Sequence, residues 1–153
     1  VTVEILNLRV RTFALEGEAE KVAEAFERFL PAKTEVLVED LDPETDGGVF
    51  THPLKSVTAK ITQPKVCKDF LMKAFSSLTD SEKSKVVREL PHRVDDKCNF
   101  YLRFSKADFI DGRLKISELD AVQFKVKVAA YPAKKEIAVK VLKEFLESEN
   151  EVS

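Results

Sequence analysis

Apolar and polar residues alternate along the first fourteen positions, which predicts a strand over 1–14. Val1, Val3 and Ile5 share one face, then the phase slips and Leu6, Leu8 and Val10 carry the alternation, as a bulge requires. Arg9 and Arg11 then lie on the face opposite Leu8 and Val10. The spacing of Val22, Phe26, Phe29 and Leu30 turns helical from about Glu18 to Leu30. Acids crowd its first turn, where they complement the helix dipole, and Pro31 stops it. TEVLVEDL (34–41) reads as a short strand and DPETDGGVFTHP as a loop of turn formers. A third strand follows at about 54–62, with Val57, Ala59 and Ile61 on one face.

Pro64 opens a second helix at a position where its missing N–H costs little. Its stripe is Cys67, Phe70, Leu71, Ala74, Phe75 and Leu78. Thr79 and Glu82 have capping-box spacing before further helical turns through Val86, Val87 and Leu90. Residues 91–98 form a polar connection. NFYLRF then alternates, with Phe100, Leu102 and Phe104 on one side and Tyr101 and Arg103 on the other. Asp111-Gly112 is a hairpin signal joining that strand to RLKI (113–116). AVQFKVKVAAY is the last strand, with Val122, Phe124, Val126 and Val128 inward and Gln123, Lys125 and Lys127 outward. Pro132 ends it, and Lys134–Leu146 closes the fold as a helix. The expected order is β-α-β-β-α-α-β-β-β-α: one α+β domain over 1–147, an antiparallel-rich sheet with helices on one face, and a frayed tail at 148–153.

Composition supports a domain with its own core: 153 residues, 44% hydrophobic, with only 4 Gly and 6 Pro. No apolar run nears the ~20 residues that span a bilayer, so no membrane association is expected. Glu4 and Arg9 interrupt the N-terminal apolar pattern, unlike a secretory signal. Two cysteines, Cys67 and Cys98, make neither a disulfide framework nor a zinc cluster. A reduced, soluble, cytoplasmic protein is the expectation. The net charge of −2 is uninformative, but its distribution is uneven. Residues 16–48 hold eleven acids against three bases, a net of −8, whereas 97–135 hold nine bases against four acids, a net of +5. An acidic chain can thus still present a positive face to an anion.

The chain carries no P-loop, GxGxxG, GxSxG, HExxH or CxxC, so no catalytic residue, metal or cofactor is expected. His52 and His92 sit beside prolines, with no ligand at metal-binding spacing, and read as solvated loop imidazoles. Cys67 falls on a core stripe, and Cys98 is placed nearer solvent. Asp95-Asp96 has the composition of an acid–base or Mg²⁺ pair, but adjacent acids in a turn are common. What remains is the outward face of the last three strands: Tyr101 and Arg103, Arg113 and Lys115, Lys125 and Lys127, joined by Arg9 and Arg11. Cations with an aromatic on a one-sided sheet suit phosphate contacts with occasional base stacking. Solvent-facing lysines also serve solubility and block edge pairing.

The stretch RVDDKCNFYLRFSKADFIDGRLKISELDAVQFKVKVAAYP resembles a family of small proteins, known mainly from archaea, described as predicted RNA-binding proteins linked to the exosome. The resembling elements are Asp95-Asp96, Tyr101-Arg103-Lys106, Gly112-Arg113-Leu114-Lys115 and Val126-Lys127-Val128. RTFALEGEAEKVAEAF also looks like that family's opening, and the likeness covers about residues 3–147. The family's Gly-His-x-Gly-Asn-Pro-like loop is altered here to Gly47-Gly48-Val49-Phe50-Thr51-His52-Pro53-Leu54. The resemblance implies an α+β fold like that of certain ribosomal proteins and an RNA-associated role, not an enzyme.

The resulting expectation is a non-catalytic RNA-binding or RNA-processing accessory protein. Arg103, Lys106, Arg113, Lys115, Lys125 and Lys127 would contact phosphate and Tyr101 would stack. RNA, in the setting of an RNA-processing complex, is the expected partner. The alternative is a protein-interaction module or a homodimer without direct RNA contact. A metal-dependent nuclease using Asp95 and Asp96 is a distant third.

Overall fold

In the computed structural model, which describes residues 3–41 and 54–152, strand β1 (Ile5–Leu15) carries the expected phase slip. Ile5 is buried, then Leu8, Val10, Thr12 and Ala14 are, so the slip falls at Leu6-Asn7 and leaves Leu6 on the outer side. Helix α1 (Glu16–Phe29), β2 (Val36–Asp40), β3 (Leu54–Ile61), α2 (Pro64–Ser76), α3 (Asp80–Arg88) and α4 (Leu90–Arg93) follow. Then come β4 (Asn99–Ser105), α5 (Lys106–Ile110), β5 (Ala121–Val128) and α6 (Lys135–Val152). The α+β class and the antiparallel sheet are as expected, with strand order β2-β3-β1-β5-β4. The loop expected at 42–53, with His52 and the altered family loop, lies outside the described residues.

The fold resolves into two compact units, neither continuous in sequence. One draws on segments 1–8, 61–102 and 124–153, the other on 9–60 and 103–123.

The first unit is helical at its centre. Pro64 sits in the first turn of α2, and Thr79 and Glu82 form the expected reciprocal capping box at α3. Cys67, Leu71, Phe75, Val86, Leu90, Leu142 and Phe145 are fully buried among α2, α3, α4 and α6, and Phe70 stacks on Phe124 with centroids 5.5 Å apart. The Cys67 thiol donates to the carbonyl of Ile61 at 3.2 Å, and burial pushes its pKa up. Three expectations change. Residues 90–93, read as polar connection, form α4, with Pro91 in its opening turn. Cys98 is buried at 2% exposure, because β4 starts directly after it and the Val128 N–H donates to its carbonyl. The closing helix, expected to end at Leu146, continues as α6 to Val152.

The second unit pairs β2 with β3 antiparallel, from Val36↔Ala59 to Asp40↔Lys55, and an ion pair of 3.0 Å closes that last step. Helix α1 buries Ala19, Val22, Ala25 and Phe26. Phe109 stacks on Phe29 at 4.4 Å and meets Phe26 edge-on at 5.6 Å. That aromatic cluster explains the main correction. Residues 106–110 coil into α5 instead of extending β4, because Ser105 caps the Asp108 N–H and the coil turns Phe109 inward. Only Gly112 of the Asp-Gly pair takes positive φ (+87°), so it ends a helix and does not build the two-residue hairpin, which needs both. RLKI is therefore not a strand, and only an isolated Phe104↔Ile116 bridge forms there.

Strand β5 alternates as the pattern predicts: Val122, Phe124, Val126 and Val128 are buried, while Gln123, Lys125 and Lys127 are half-exposed. Phe124→Ala is expected to cost about 3–5 kcal/mol through lost burial and a cavity. Lys125→Ala should stay within ~0.5 kcal/mol. Urea denaturation of both variants measures the difference, and equal effects would contradict this strand phase.

Candidate nucleic-acid interface

Past the bulge in β1, odd-numbered residues face outward, which brings Arg9, Arg11 and Phe13 to one side of that strand. In the second unit these three line a cleft of about 250 Å³ with Thr12, Ala121, Arg103, Glu118 and Gln123. The Thr12 hydroxyl donates to the Ala121 carbonyl at 2.9 Å, fixing β1 against the start of β5 beneath it.

The arginines differ in what holds them. Arg103 Nε donates to Gln123 Oε1 at 3.2 Å, and its Nη1 stands 3.7 Å from Glu118 Oε2 in a half-exposed pair. Such a pair is weak and exchanges readily for another anion. The Arg11 guanidinium lies over the Phe13 ring, 4.8 Å from its centroid, and Phe13 is 47% exposed. The Nε atoms of Arg9 and Arg11 are shut off from solvent and meet no acceptor among the described residues. A guanidinium presents Nε and one Nη as a fork that matches two phosphate oxygens. The cleft thus offers two forks lacking acceptors, a third arginine held loosely, and an exposed aromatic ring.

The residues singled out from sequence distribute otherwise. Lys106 is not at the surface: it is 5% exposed, and its ammonium donates to the Phe13 carbonyl at 2.7 Å and pairs with Asp120 at 2.9 Å and Glu18 at 3.0 Å. Burial pulls its pKa down, but the two carboxylates outweigh that and hold it above the ordinary lysine value. With three acceptors satisfied, it has nothing left for phosphate. Arg113 and Lys115 are exposed, but in the coil after α5 and not on a strand, and Arg113 pairs with Asp108 at 3.1 Å and Asp111 at 3.6 Å. In the first unit, Lys125 and Lys127 are half-exposed on β5, and the Lys127 ammonium donates to the Lys97 carbonyl. Tyr101 is half-buried, and its hydroxyl donates to Asp95 Oδ2 at 2.9 Å.

Asp95 does not form a metal pair with Asp96. Its carboxylate accepts from the Lys97 and Asn99 N–H groups, both at 2.9 Å, as well as from the Asn99 amide and Tyr101. Burial works against its charged form, yet these bonds outweigh it and hold the carboxyl below the usual aspartate value. No cluster of three metal-ligating side chains occurs among the described residues. Phe13 escaped the sequence reading, although continuing the Arg9–Arg11 parity by one more step points to it, and Gln123 was placed outward on the last strand without being counted in the site.

Comparison with known proteins gives these residues a context. A family model described as RNA binding matches residues 7–128, a span that contains every residue lining the cleft. The chain is 34% identical over 148 residues to RNA-binding protein PAB1135 of Pyrococcus abyssi (strain GE5 / Orsay), covering 94% of this chain and 95% of that one. Its fold is similar to that of Mth689, a DUF54 protein from Methanothermobacter thermautotrophicus, with a TM-score of 0.74 at 26% identity, covering 94% and 98% of the two chains. It is also similar to AF2318 from Archaeglobus fulgidus, with a TM-score of 0.78 at 21% identity and coverage of 92% and 98%.

Lys106→Ala should destabilise the protein by about 1–3 kcal/mol, since it strands a buried carbonyl and two oriented carboxylates. Lys115→Ala should change stability by less than ~0.5 kcal/mol in the same urea titration. The depressed pKa of Asp95 gives a pH signature with a definite sign. Its stabilisation is complete above the ordinary aspartate pKa and is lost as pH falls through the lower folded value. The stability gap between the parent and Asp95→Ala should therefore be widest near neutrality and close below about pH 4, measured by denaturation across a pH series.

Proposed function

From the membership of this chain in the RNA-binding family, we propose that it binds RNA at the second unit's cleft, with Arg9, Arg11 and Arg103 on the phosphate backbone. The observation that carries this reading is the pair of buried Nε donors on Arg9 and Arg11 that lack an acceptor. A buried donor left unpaired costs about 1–3 kcal/mol, so an oxyanion that meets these guanidiniums as they turn into the cleft recovers part of that cost. Phosphodiester oxygens at the forks would replace Gln123 and Glu118 as partners of Arg103. Phe13, steadied by Arg11, would stack an unpaired base, a contact that tolerates any sequence. Arg113 and Lys115 extend the positive surface of the same unit. Tyr101, Lys125 and Lys127 belong to the other unit.

This describes a binder and not a catalyst, an accessory to RNA processing in the cytoplasm. An exosome-linked setting is the one the family resemblance suggests. The alternative, a homodimer or protein-interaction module, has one observation in its favour: β2 is an edge strand whose Leu37 and Val38 are 45% and 44% exposed. Sedimentation equilibrium of the parent and of Leu37→Lys separates it from RNA binding.

Anisotropy of a labelled single-stranded RNA, titrated at several salt concentrations, tests the main reading. Three arginine–phosphate contacts predict a slope of log affinity against log salt near about −2 from this cleft, at roughly −0.7 per contact. Arg9→Ala or Arg11→Ala should each flatten the slope by about 0.7 and weaken all sequences alike. Phe13→Ala should cost about 1–3 kcal/mol with the slope unchanged. A salt-insensitive complex, or slopes that ignore all three arginines, would sink the assignment.

A further inference from the structure

We propose that a cleft among α3, α4 and α6, in the first unit, docks an acidic, aliphatic peptide segment of a protein partner. This goes beyond the RNA-binding reading and does not depend on it. The cleft has a volume of about 500 Å³, within the range of sites that enclose a ligand. Its walls are aliphatic: Val87 and Val139 are half-buried, and Pro91 is exposed at the lip. Three cations line it, Lys83 and Arg88 from α3 and Lys143 from α6, against the single carboxylate of Glu147.

The cations decide the ligand's charge. Three face a single carboxylate, and the exposed side chains of Arg88 and Lys143 leave their charges open to an incoming anion. Lys83 packs its stem into the wall, only 7% exposed as a whole, while its ammonium is not enclosed and stays at the cleft surface. The complement of this lining is anionic. Aliphatic walls then decide between anion classes. The accessible wall of the cleft is valine and proline, with no exposed aromatic face on which an RNA base would stack. Leucine- or isoleucine-like side chains flanked by carboxylates match both the walls and the rim, in the manner of an amphipathic segment laid into a groove.

The probe is a fluorescein-labelled peptide of about 14 residues, four helical turns, with leucines at helical spacing and glutamates elsewhere. Anisotropy should show saturable binding to the full chain. Lys83→Met should weaken it by about three- to tenfold, as loss of one of three cations facing the peptide's carboxylates does. Lys83 is buried, so the exposed substitutions Arg88→Glu and Lys143→Glu provide a second test that does not disturb the core, and each should weaken binding while the circular-dichroism melt stays put. Arg11→Ala, which removes a proposed RNA contact, should leave peptide affinity unchanged, so this site and the RNA cleft fail separately. Any of several results would overturn the proposal: no saturable binding, affinity indifferent to all three substitutions, or equal binding of the glutamine version of the peptide. Displacement of the peptide by oligouridylate or decanoate would do so too, by assigning the cleft to RNA or to a free fatty acid. So would self-association of the chain abolished by Lys143→Glu, which would make a second copy the occupant.

Discussion

The ammonium of Lys106 is the fastening on which the arginine cleft depends. It joins the carbonyl of Phe13 near the end of β1, Glu18 in the first turn of α1, and Asp120 at the entry to β5. Its own N–H donates to the Asp120 carbonyl, so both ends of the residue hold the same corner. A single buried charge would be a large liability, and the cost is met by satisfying every donor geometry at once. The consequence is positional. Phe13 and Ala121, two linings of the cleft, are each adjacent to or identical with a residue that Lys106 grips. The lysine read as an RNA contact thus acts one layer below, setting the backbone from which the arginines project.

Most of the fold was legible because its signals are local. The parity of β5, the bulge in β1, the Pro64 start and the Thr79–Glu82 box each follow from a few neighbouring residues, and each is found in the structure. The misreading at 106–116 has a non-local cause. Asp-Gly tolerates positive φ, but a helix C-terminus uses that tolerance as well as a hairpin does. The choice was made by Phe109 docking on Phe26 and Phe29, some eighty residues earlier in the chain. The division into two units was invisible for a related reason. The chain passes between them at residues 8/9, 60/61, 102/103 and 123/124, at or within strands, so no linker composition marks the boundary.

The site was less legible than the fold, and the reason lies in what a count of charges measures. Bases are dense over 97–135, but density does not tell whether each already has an anion. Lys106 has two carboxylates, Arg113 has Asp108 and Asp111, and Lys127 has a carbonyl. Those partners come from the same segment or from the acidic start of α1, so much of the apparent asymmetry is consumed internally. Glu18, one of the acids that tilts residues 16–48 to −8, is spent in this way. Asp40, another, is spent on Lys55.

The quantity that matters for an anion is a cation's unmet hydrogen-bonding capacity in a place where water cannot meet it. An exposed lysine is satisfied by solvent and gains little when phosphate replaces that water. A guanidinium whose Nε has no acceptor gains more once it turns to meet an anion, because its unbound state is the expensive one. By that measure Arg9 and Arg11 outrank every base in the dense segment, although they sit in a strand with little net charge around them. Arginine suits this setting because its flat, weakly hydrated group can be half-buried beside Phe13 and still present a fork.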